Sequence, residues 1–457
     1  MNTLNFSDLS ISKEMLHNLG EMNYTQMTPV QAATLPHILN GRDVIAQAKT
    51  GSGKTAAFGI GLLQKLEIKK YRVQTLILCP TRELADQVAK ELRALARFAQ
   101  NIKILTLCGG VAFRPPSDSL RHEAHIIVGT PGRVLKHLDK NTLSLRDLDT
   151  LVFDEADRML DMGFIDDIDK VLSYTPKDRQ TLLFSATYTD EITNISNRVQ
   201  RDAMSIKTTD TEVANKITEV FYEVQTVNKF DALVNVLSTY KPENVIIFTN
   251  TKAEATELSQ NLQKHNIDAL ATHGDLEQYE RNDVLVQFAN KSCRVLIATD
   301  VAARGLDIKE LSMVINYDIP HNDETYTHRI GRTARAGQEG TAITLFSTNR
   351  SFKAHAYKNE NRSFEDASVL EITPNFEMKP EYQTLVIEAG KKDKLRAGDL
   401  LGALTGDVGI DFKAIGKIDI YDRQSYVAID RTLISLVHKK LSTGKIKGRK
   451  FPVWILK

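Results

Sequence analysis

The stretch Asp43-Val44-Ile45-Ala46-Gln47-Ala48-Lys49-Thr50-Gly51-Ser52-Gly53-Lys54-Thr55 decides the fold. A short β-branched run leads into a glycine-rich loop, and a segment of helical spacing follows. A phosphate-binding loop needs that context. Glycines let backbone N–H groups close on phosphate oxygens, Lys54 brings positive charge to the terminal phosphates, and the Thr55 hydroxyl can meet Mg2+. Ala48 stands where the general pattern has its first glycine. Working outward, further short apolar runs alternate with helical segments: Thr75–Cys79, His125–Val128, Leu151–Phe153 and Thr181–Phe184. The alternation restarts after the polar stretch from Thr208 to Asn215, with Val245–Phe248, Arg294–Ala298, Met313–Asn316 and Thr341–Leu345. Strands separated by helices predict parallel sheets, so the reading is two α/β domains in tandem.

The 457 residues carry 42% hydrophobic and 26% charged side chains, which excludes global disorder and fibrous structure. No stretch reaches the roughly 18 apolar residues of a membrane span, and Met1–Phe6 lacks the features of a signal peptide, so a cytoplasmic protein without a membrane partner is expected. Cys79, Cys108 and Cys293 lie far apart in apolar runs and read as buried thiols. The net charge of +1 hides an asymmetry. From Lys379 onward there are 16 Lys and Arg against 9 Asp and Glu, a balance of +7, which leaves −6 for the rest. A basic tail favours an anionic partner, most often nucleic acid.

Asp366 to Pro380 holds Pro374 and Pro380 without periodicity and reads as a linker. Beyond it the order is strand Leu385–Ile387, helix Ala397–Thr405, strands Lys417–Ile420 and Tyr426–Ile429, helix Thr432–Leu441 and strand Pro452–Leu456. That βαββαβ order is the ferredoxin-like plan of many RNA-recognition modules. Asp154-Glu155-Ala156-Asp157 ends the run Leu151–Phe153, which places Asp154 at the carboxyl edge of a sheet, positioned for Mg2+, with Glu155 beside it to orient and deprotonate an attacking water.

Together these residues resemble the DEAD-box family of ATP-dependent RNA helicases, from about Phe6 to Phe352. The resemblance implies a RecA-like ATP-binding domain over 1–208, a second RecA-like domain over 215–366, a linker over 367–380 and an RRM-like module over 381–457. Tyr24 to Gln31 is similar to the family's Q motif, with Tyr24 against adenine and Gln31 reading its edge; Asn23 stands where the family usually has glycine. Pro80–Ala85 with Arg82, the pair Gly109-Gly110, and Thr130-Pro131-Gly132-Arg133 look like RNA-contacting motifs. Ser185-Ala186-Thr187 looks like the motif joining hydrolysis to closure. In the second domain Gln278–Arg281 and Thr299 imply RNA contacts, Gly305 and Asp307 nucleotide contacts, and His328–Arg335 the remaining catalytic block. The family's chemistry puts His328, Arg332 and Arg335 with Lys54, Asp154 and Glu155 as catalytic residues, and Thr50, Gly51, Ser52 and Gly53 around ATP. Arg332 and Arg335 are three apart and are expected on one helical face, bringing charge to the leaving phosphoryl group. Arg114-Pro115-Pro116 departs from the family in a stretch that is usually helical.

The tail strings Leu401–Gly406, Ile415–Ile418 and Gly444–Lys450 resemble the C-terminal module of bacterial DbpA-type DEAD-box proteins. That subfamily implies recognition of a 23S ribosomal RNA hairpin and a role in large-subunit assembly. Tyr426, Lys445, Lys447, Arg449 and Lys450 are the expected contacts there, with Lys391, Lys392 and Lys394 beside them; no stable protein partner is expected. The competing readings are an ATP-gated RNA clamp or assembly scaffold, and a motor acting on DNA. Intact Lys54, Glu155, Arg332 and Arg335 speak against a scaffold without hydrolysis.

Overall fold

The computed structural model describes residues 5–48, 51–110, 112–207, 217–224, 228–303, 311–334, 339–358, 361–371 and 373–456. Thr50, Gly305, Asp307 and Arg335, each expected in a site, lie outside the described residues. The chain divides into two compact units, the first built from residues up to position 214 and the second from the residues that follow.

In the first unit seven strands form one parallel sheet: Val44–Gln47 (β1), Thr75–Leu78 (β2), Ile104–Leu107 (β3), Ile126–Gly129 (β4), Thr150–Asp154 (β5), Gln180–Ser185 (β6) and Met204–Lys207 (β7). Their order is β3-β4-β2-β5-β6-β1-β7. The central strands are buried along their whole length, because helices cover both faces of a parallel sheet, and this explains their unbroken apolar runs. β3 and β7 sit at the edges with alternating or half-exposed positions, and periodicity did not single out either. The prolines at 115 and 116 do not prevent a helix. Arg114–Leu120 is helical, with proline in the first turn, where the missing N–H would be unsatisfied anyway.

The second unit holds a similar sheet of Ile217–Val224 (β8), Val245–Thr249 (β9), Ala269–Thr272 (β10), Val295–Thr299 (β11), Met313–Asn316 (β12), Gly340–Ser347 (β13) and Arg362–Asp366 (β14), ordered β10-β11-β9-β12-β13-β8-β14. The stretch expected to be a linker is packed against this sheet. Leu370 and Met378 are buried in its core, and Met378 exchanges backbone hydrogen bonds with Asn266 and Asp268.

The same unit ends in a four-stranded antiparallel sheet of Tyr382–Ile387 (β15), Ile415–Ile420 (β16), Ser425–Asp430 (β17) and Val453–Ile455 (β18), ordered β16-β17-β15-β18. Helices Ala397–Gly402 and Ile434–Thr443 close one face over a core that includes Leu385, Val427 and Val437. The first of them continues as a π-helical turn over Ala403–Val408. The opposite face docks on helix Gln278–Ala289: Val386 and Tyr426 pack on Val286, the Tyr426 hydroxyl donates to Asp283 at 2.8 Å, and Asn290 Nδ2 donates to Thr384 Oγ1 at 2.9 Å. Among the described residues no helix is long and apolar enough to cross a membrane. Cys79, Cys108 and Cys293 are free and buried, and burial pushes the Cys108 and Cys293 thiols up to about 12.

Candidate active site and nucleic-acid interface

Parallel topology sorts the first unit's chemistry by strand. Apart from Tyr24 and Gln31, which precede β1, the candidate nucleotide residues follow or end β1 and β5, and the Ser185–Thr187 motif ends β6, neighbours in the order β5-β6-β1, while the candidate RNA residues follow β2, β3 and β4, neighbours in the order β3-β4-β2. All of them emerge at the carboxyl ends of the strands, where open α/β sheets bind ligands. The two groups therefore occupy opposite halves of one sheet edge.

On the nucleotide half, Gly51 and Gly53 have φ of 85° and 92°, a left-handed backbone that glycine takes without strain, and Gly53 caps helix Lys54–Lys65. A side chain at Gly53 would run into Gln31, whose Nε2 donates to the Gly53 carbonyl at 3.2 Å. Gln31 also closes a capping box with Thr28 at the start of helix Pro29–Leu39, so the Q-motif helix and the loop are joined through one amide. Tyr24 is half-buried beside them. Its hydroxyl donates to Glu91 at 3.4 Å, and burial together with Glu91 pushes it up to about 12. Asn23, in place of the family glycine, takes φ of 60°, a conformation that asparagine tolerates better than most residues.

Lys54 Nζ and Asp154 Oδ1 are buried and have no hydrogen-bond partner among the described residues. An unsatisfied buried charge is costly, so a cation and a carboxylate left open beside a helix N-terminus fit the phosphates and metal ion of a nucleotide. Burial raises Asp154 to about 7, with Glu155 adding to the shift and Lys54 opposing it. The raised group ionises in the unfolded chain from about pH 4 but in the folded, nucleotide-free protein only near pH 7, so the folded state loses stability as pH rises across that window. Asp154→Asn should therefore melt higher than the parent protein above pH 7, with the gap closing toward pH 4, and should lose ATP turnover. Thermal melts between pH 4 and 8 check this, and a lower melting temperature for the variant at pH 8 would contradict the burial argument.

Glu155 caps helix Ala156–Asp161 with φ of 58°, and Arg158 Nη1 donates to its Oε2 at 2.6 Å, both side chains being buried. Asp157 Oδ2 accepts from the backbone N–H groups of Ala186 and Thr187, each at 3.0 Å, and from Thr187 Oγ1 at 3.2 Å. The last acidic residue of the tetrad thus holds the Ser185–Thr187 segment. The sequence reading quoted Asp157 without a role and did not single out Arg158; the i,i+3 spacing from Glu155 was the available signal.

On the RNA half, Arg82 opens helix Arg82–Leu95, Gly109 and Gly110 are exposed after β3, and Thr130 caps helix Pro131–Asp139, which carries Arg133. Phe113 stacks on His137 at 4.1 Å, with Arg133 and Lys140 over its ring at 5.2 and 4.6 Å. Burial, helped by those cations, holds His137 down at about 4.

In the second unit Arg281 Nη2 donates to the Gly274 carbonyl at 2.7 Å, and Thr299 is buried at the end of β11. His328 lies in helix Asp323–Ile330, but Arg332 does not. Gly331 ends the helix, and Thr333 Oγ1 donates to the Leu311 carbonyl, which turns the chain aside. The expected shared helical face of Arg332 and Arg335 is therefore absent at Arg332, which is buried in the turn beyond the helix. Arg329 is the buried hub that the sequence reading left without a role: its fork meets Asp300 at 2.6 and 2.8 Å, and it also donates to Asn250 and to the Asp318 carbonyl.

In the C-terminal module Tyr426 is buried in the docking face, so it offers no ring to stack on RNA while the module is docked. Lys445, Lys447, Arg449 and Lys450 are exposed on a tight hairpin. Ile446 and Arg449 exchange backbone bonds at 2.8 and 3.1 Å around Lys447 and Gly448, at φ of 52° and 77°, while buried Ile446 anchors the loop.

Comparison with known proteins follows this geometry. Residues 28–195 match the DEAD/DEAH box helicase family, 228–337 the helicase conserved C-terminal domain, and 384–455 the DbpA RNA binding domain. The ATP-dependent RNA helicase DbpA of Escherichia coli (strain K12) is 50% identical over 463 residues, covering 99% of each chain. The chain belongs to the DEAD-box ATP-dependent RNA helicases, of the DbpA type. The DEAD-box helicase CshA of Bacillus cereus is 46% identical over 346 residues, 76% of this helicase and 66% of its own length. Among solved structures, S. cerevisiae Dbp5 bound to RNA and ADP BeF3 superposes with a TM-score of 0.71 at 30% identity, covering 79% of this chain and 96% of that one. Mss116p bound to ssRNA and AMP-PNP gives 0.71 at 29% identity, covering 80% of each. This helicase thus binds ATP and RNA, and its tail is an RNA-binding domain.

Proposed function

We propose that this helicase uses ATP with Mg2+ in the cytoplasm to separate short RNA duplexes during large-subunit ribosome assembly, and that its C-terminal module addresses it to a hairpin of 23S ribosomal RNA. Lys54, the Gly51–Thr55 backbone and Gln31 would hold the nucleotide, with Tyr24 against its base. Thr55 and Asp154 would hold the metal ion, which when bound neutralises phosphate charge. Glu155 takes a proton from the attacking water, and Arg332 with His328 and Arg335 stabilises charge on the phosphoryl group. Arg82, Gly109, Gly110, Thr130, Arg133, Arg281 and Thr299 contact the RNA backbone, which suits an enzyme that acts on many sequences.

The observation that carries the address is the exposed basic hairpin. Its neighbouring pairs, Lys447 with Asp399 at 3.1 Å and Arg449 with Asp393 at 3.4 Å, are solvent-exposed and worth little, so they yield readily to phosphate. Replacing Lys445, Lys447, Arg449 and Lys450 together by Ala should leave an ATPase that responds to excess unselected RNA. It should remove the preference for a 23S fragment over a scrambled hairpin of equal length, a preference that in the parent protein falls with salt. A preference unchanged in the variant would move the address elsewhere. Strand displacement under ATP, compared with a non-hydrolysable analogue, separates unwinding from an ATP-gated clamp.

A further inference from the structure

Beside the buried Tyr426, the ring of Tyr421 reaches the surface next to the docking face. Tyr421 begins the turn Tyr421-Asp422-Arg423-Gln424 between β16 and β17 and is 49% exposed. Its ring meets that of Tyr426 edge-on, with centroids 5.5 Å apart. The two rings line a cleft of about 330 Å3 with Lys392, Arg423, Gln424 and the Asp422 carboxylate, and Asn282 and Val286 of the docking helix complete it; the pair of Lys392 with Asp422, at 3.9 Å, is solvent-exposed and yields readily to phosphate.

The walls are held by backbone. Lys391 and Lys392 donate their N–H groups to the carbonyls of Tyr421 and Asp422 at 2.8 and 2.9 Å, and Tyr421 donates to the Gln424 carbonyl at 2.9 Å. A Cβ at Gly390 would lie 2.2 Å from the Tyr421 carbonyl oxygen, so glycine is what lets the two turns approach this closely. On its other side the 391–394 turn carries the basic hairpin, whose Lys447 Nζ donates to the Lys394 carbonyl at 3.0 Å. Lys447, Lys392 and Arg423 therefore lie on linked turns, which lead to the solvent-facing ring of Tyr421.

Cations for phosphate, a ring for stacking and an amide for a base edge match one nucleotide. We infer that the cleft is a subsite for a single unpaired nucleotide of the RNA held by the basic hairpin, with its base on Tyr421 and its phosphate between Lys392 and Arg423. A strand of RNA, rather than a free nucleotide, is the ligand because the cleft continues the basic series and is open at the Tyr421 side. The assignment rests on reading the module as the RNA-binding address.

The test uses the full chain without ATP and a single-stranded 12-nucleotide RNA carrying 2-aminopurine. The parent protein should quench the probe. Tyr421→Ala should lose the quench and bind roughly 5- to 100-fold more weakly, while Tyr421→Phe keeps both. Quench and affinity unchanged in Tyr421→Ala, or lost equally in Tyr421→Phe, would overturn stacking on this ring. AMP binding that depends on Tyr421 and matches the RNA in affinity would overturn the assignment to RNA. Because the strand has no ribosomal sequence, loss of the preference for the 23S fragment would leave this result standing, and the two failures are told apart.

Discussion

ATP turnover by Glu155→Gln should fall about 10²- to 10⁴-fold while ATP and RNA binding survive. The amide keeps the size of the carboxylate but cannot accept a proton from water. Glu155 is also the partner of buried Arg158, so the exchange weakens an ion pair by turning the Nη1 hydrogen bond into one to a neutral oxygen. A modest drop in melting temperature is expected alongside the loss of rate. Lys54→Ala separates the two functions from the other side, because it removes the cation that meets the phosphates and should weaken nucleotide binding itself. Single-turnover hydrolysis with equilibrium ATP binding checks both, and near-parental turnover in Glu155→Gln would remove the general-base role.

Arg332→Ala should lower turnover by roughly 10³- to 10⁵-fold, the range seen when an arginine that stabilises transferring phosphoryl charge is removed, with a much smaller change in ATP affinity. The neighbouring Arg329 provides the contrast. Its guanidinium is 1% exposed and bidentate on Asp300, whose carboxylate is 21% exposed, so Arg329→Ala removes a buried hub of charge-assisted hydrogen bonds and should cost about 1.5–3 kcal/mol of stability. Melting curves and steady-state kinetics on the two variants distinguish a chemical from a structural arginine. A loss confined to ATP affinity in Arg332→Ala would count against its assignment.

Most interior strands were legible in the amino-acid order because a strand buried on both faces must be apolar throughout, as in Thr75–Leu78 and Thr150–Asp154, whereas interior Ile217–Val224, with Thr218, Glu219 and Glu223 interrupting its apolar residues, was not read. Edge strands were not. Met204–Lys207 alternates between half-buried and exposed positions, and Arg362–Asp366 carries Arg362, Glu365 and Asp366, so neither stands out from a loop. The phosphate loop and the Asp154–Asp157 tetrad were legible because their chemistry demands particular residues at fixed spacing after a strand. Arg158 and Arg329 escaped because their partners are set by tertiary packing, and Arg332 left its expected helix because a tertiary bond from Thr333 to Leu311 overrides local periodicity. Tyr426 was read as an RNA contact from its strand position; only the docked helix shows that its ring is already covered. The stretch around Leu370 and Met378 looked like a tether because two buried apolar side chains without a period are no signal on their own.

The docked sheet face bears on how this tail can be handled and transplanted. Val386 and Tyr426 are nearly inaccessible with Val286 and Asp283 of the preceding domain packed against them. Expressed alone, residues 381–457 would present these two side chains to water on an open antiparallel sheet, next to the already exposed Trp454 on its short edge strand. Such a surface promotes self-association. Grafted onto another motor, the tail would need a receiving helix with the Asp283 and Val286 pattern, or substitutions that make positions 386 and 426 polar. Portability is therefore a property of the helix–sheet pair, and exchange of modules between relatives should succeed only where both halves travel together.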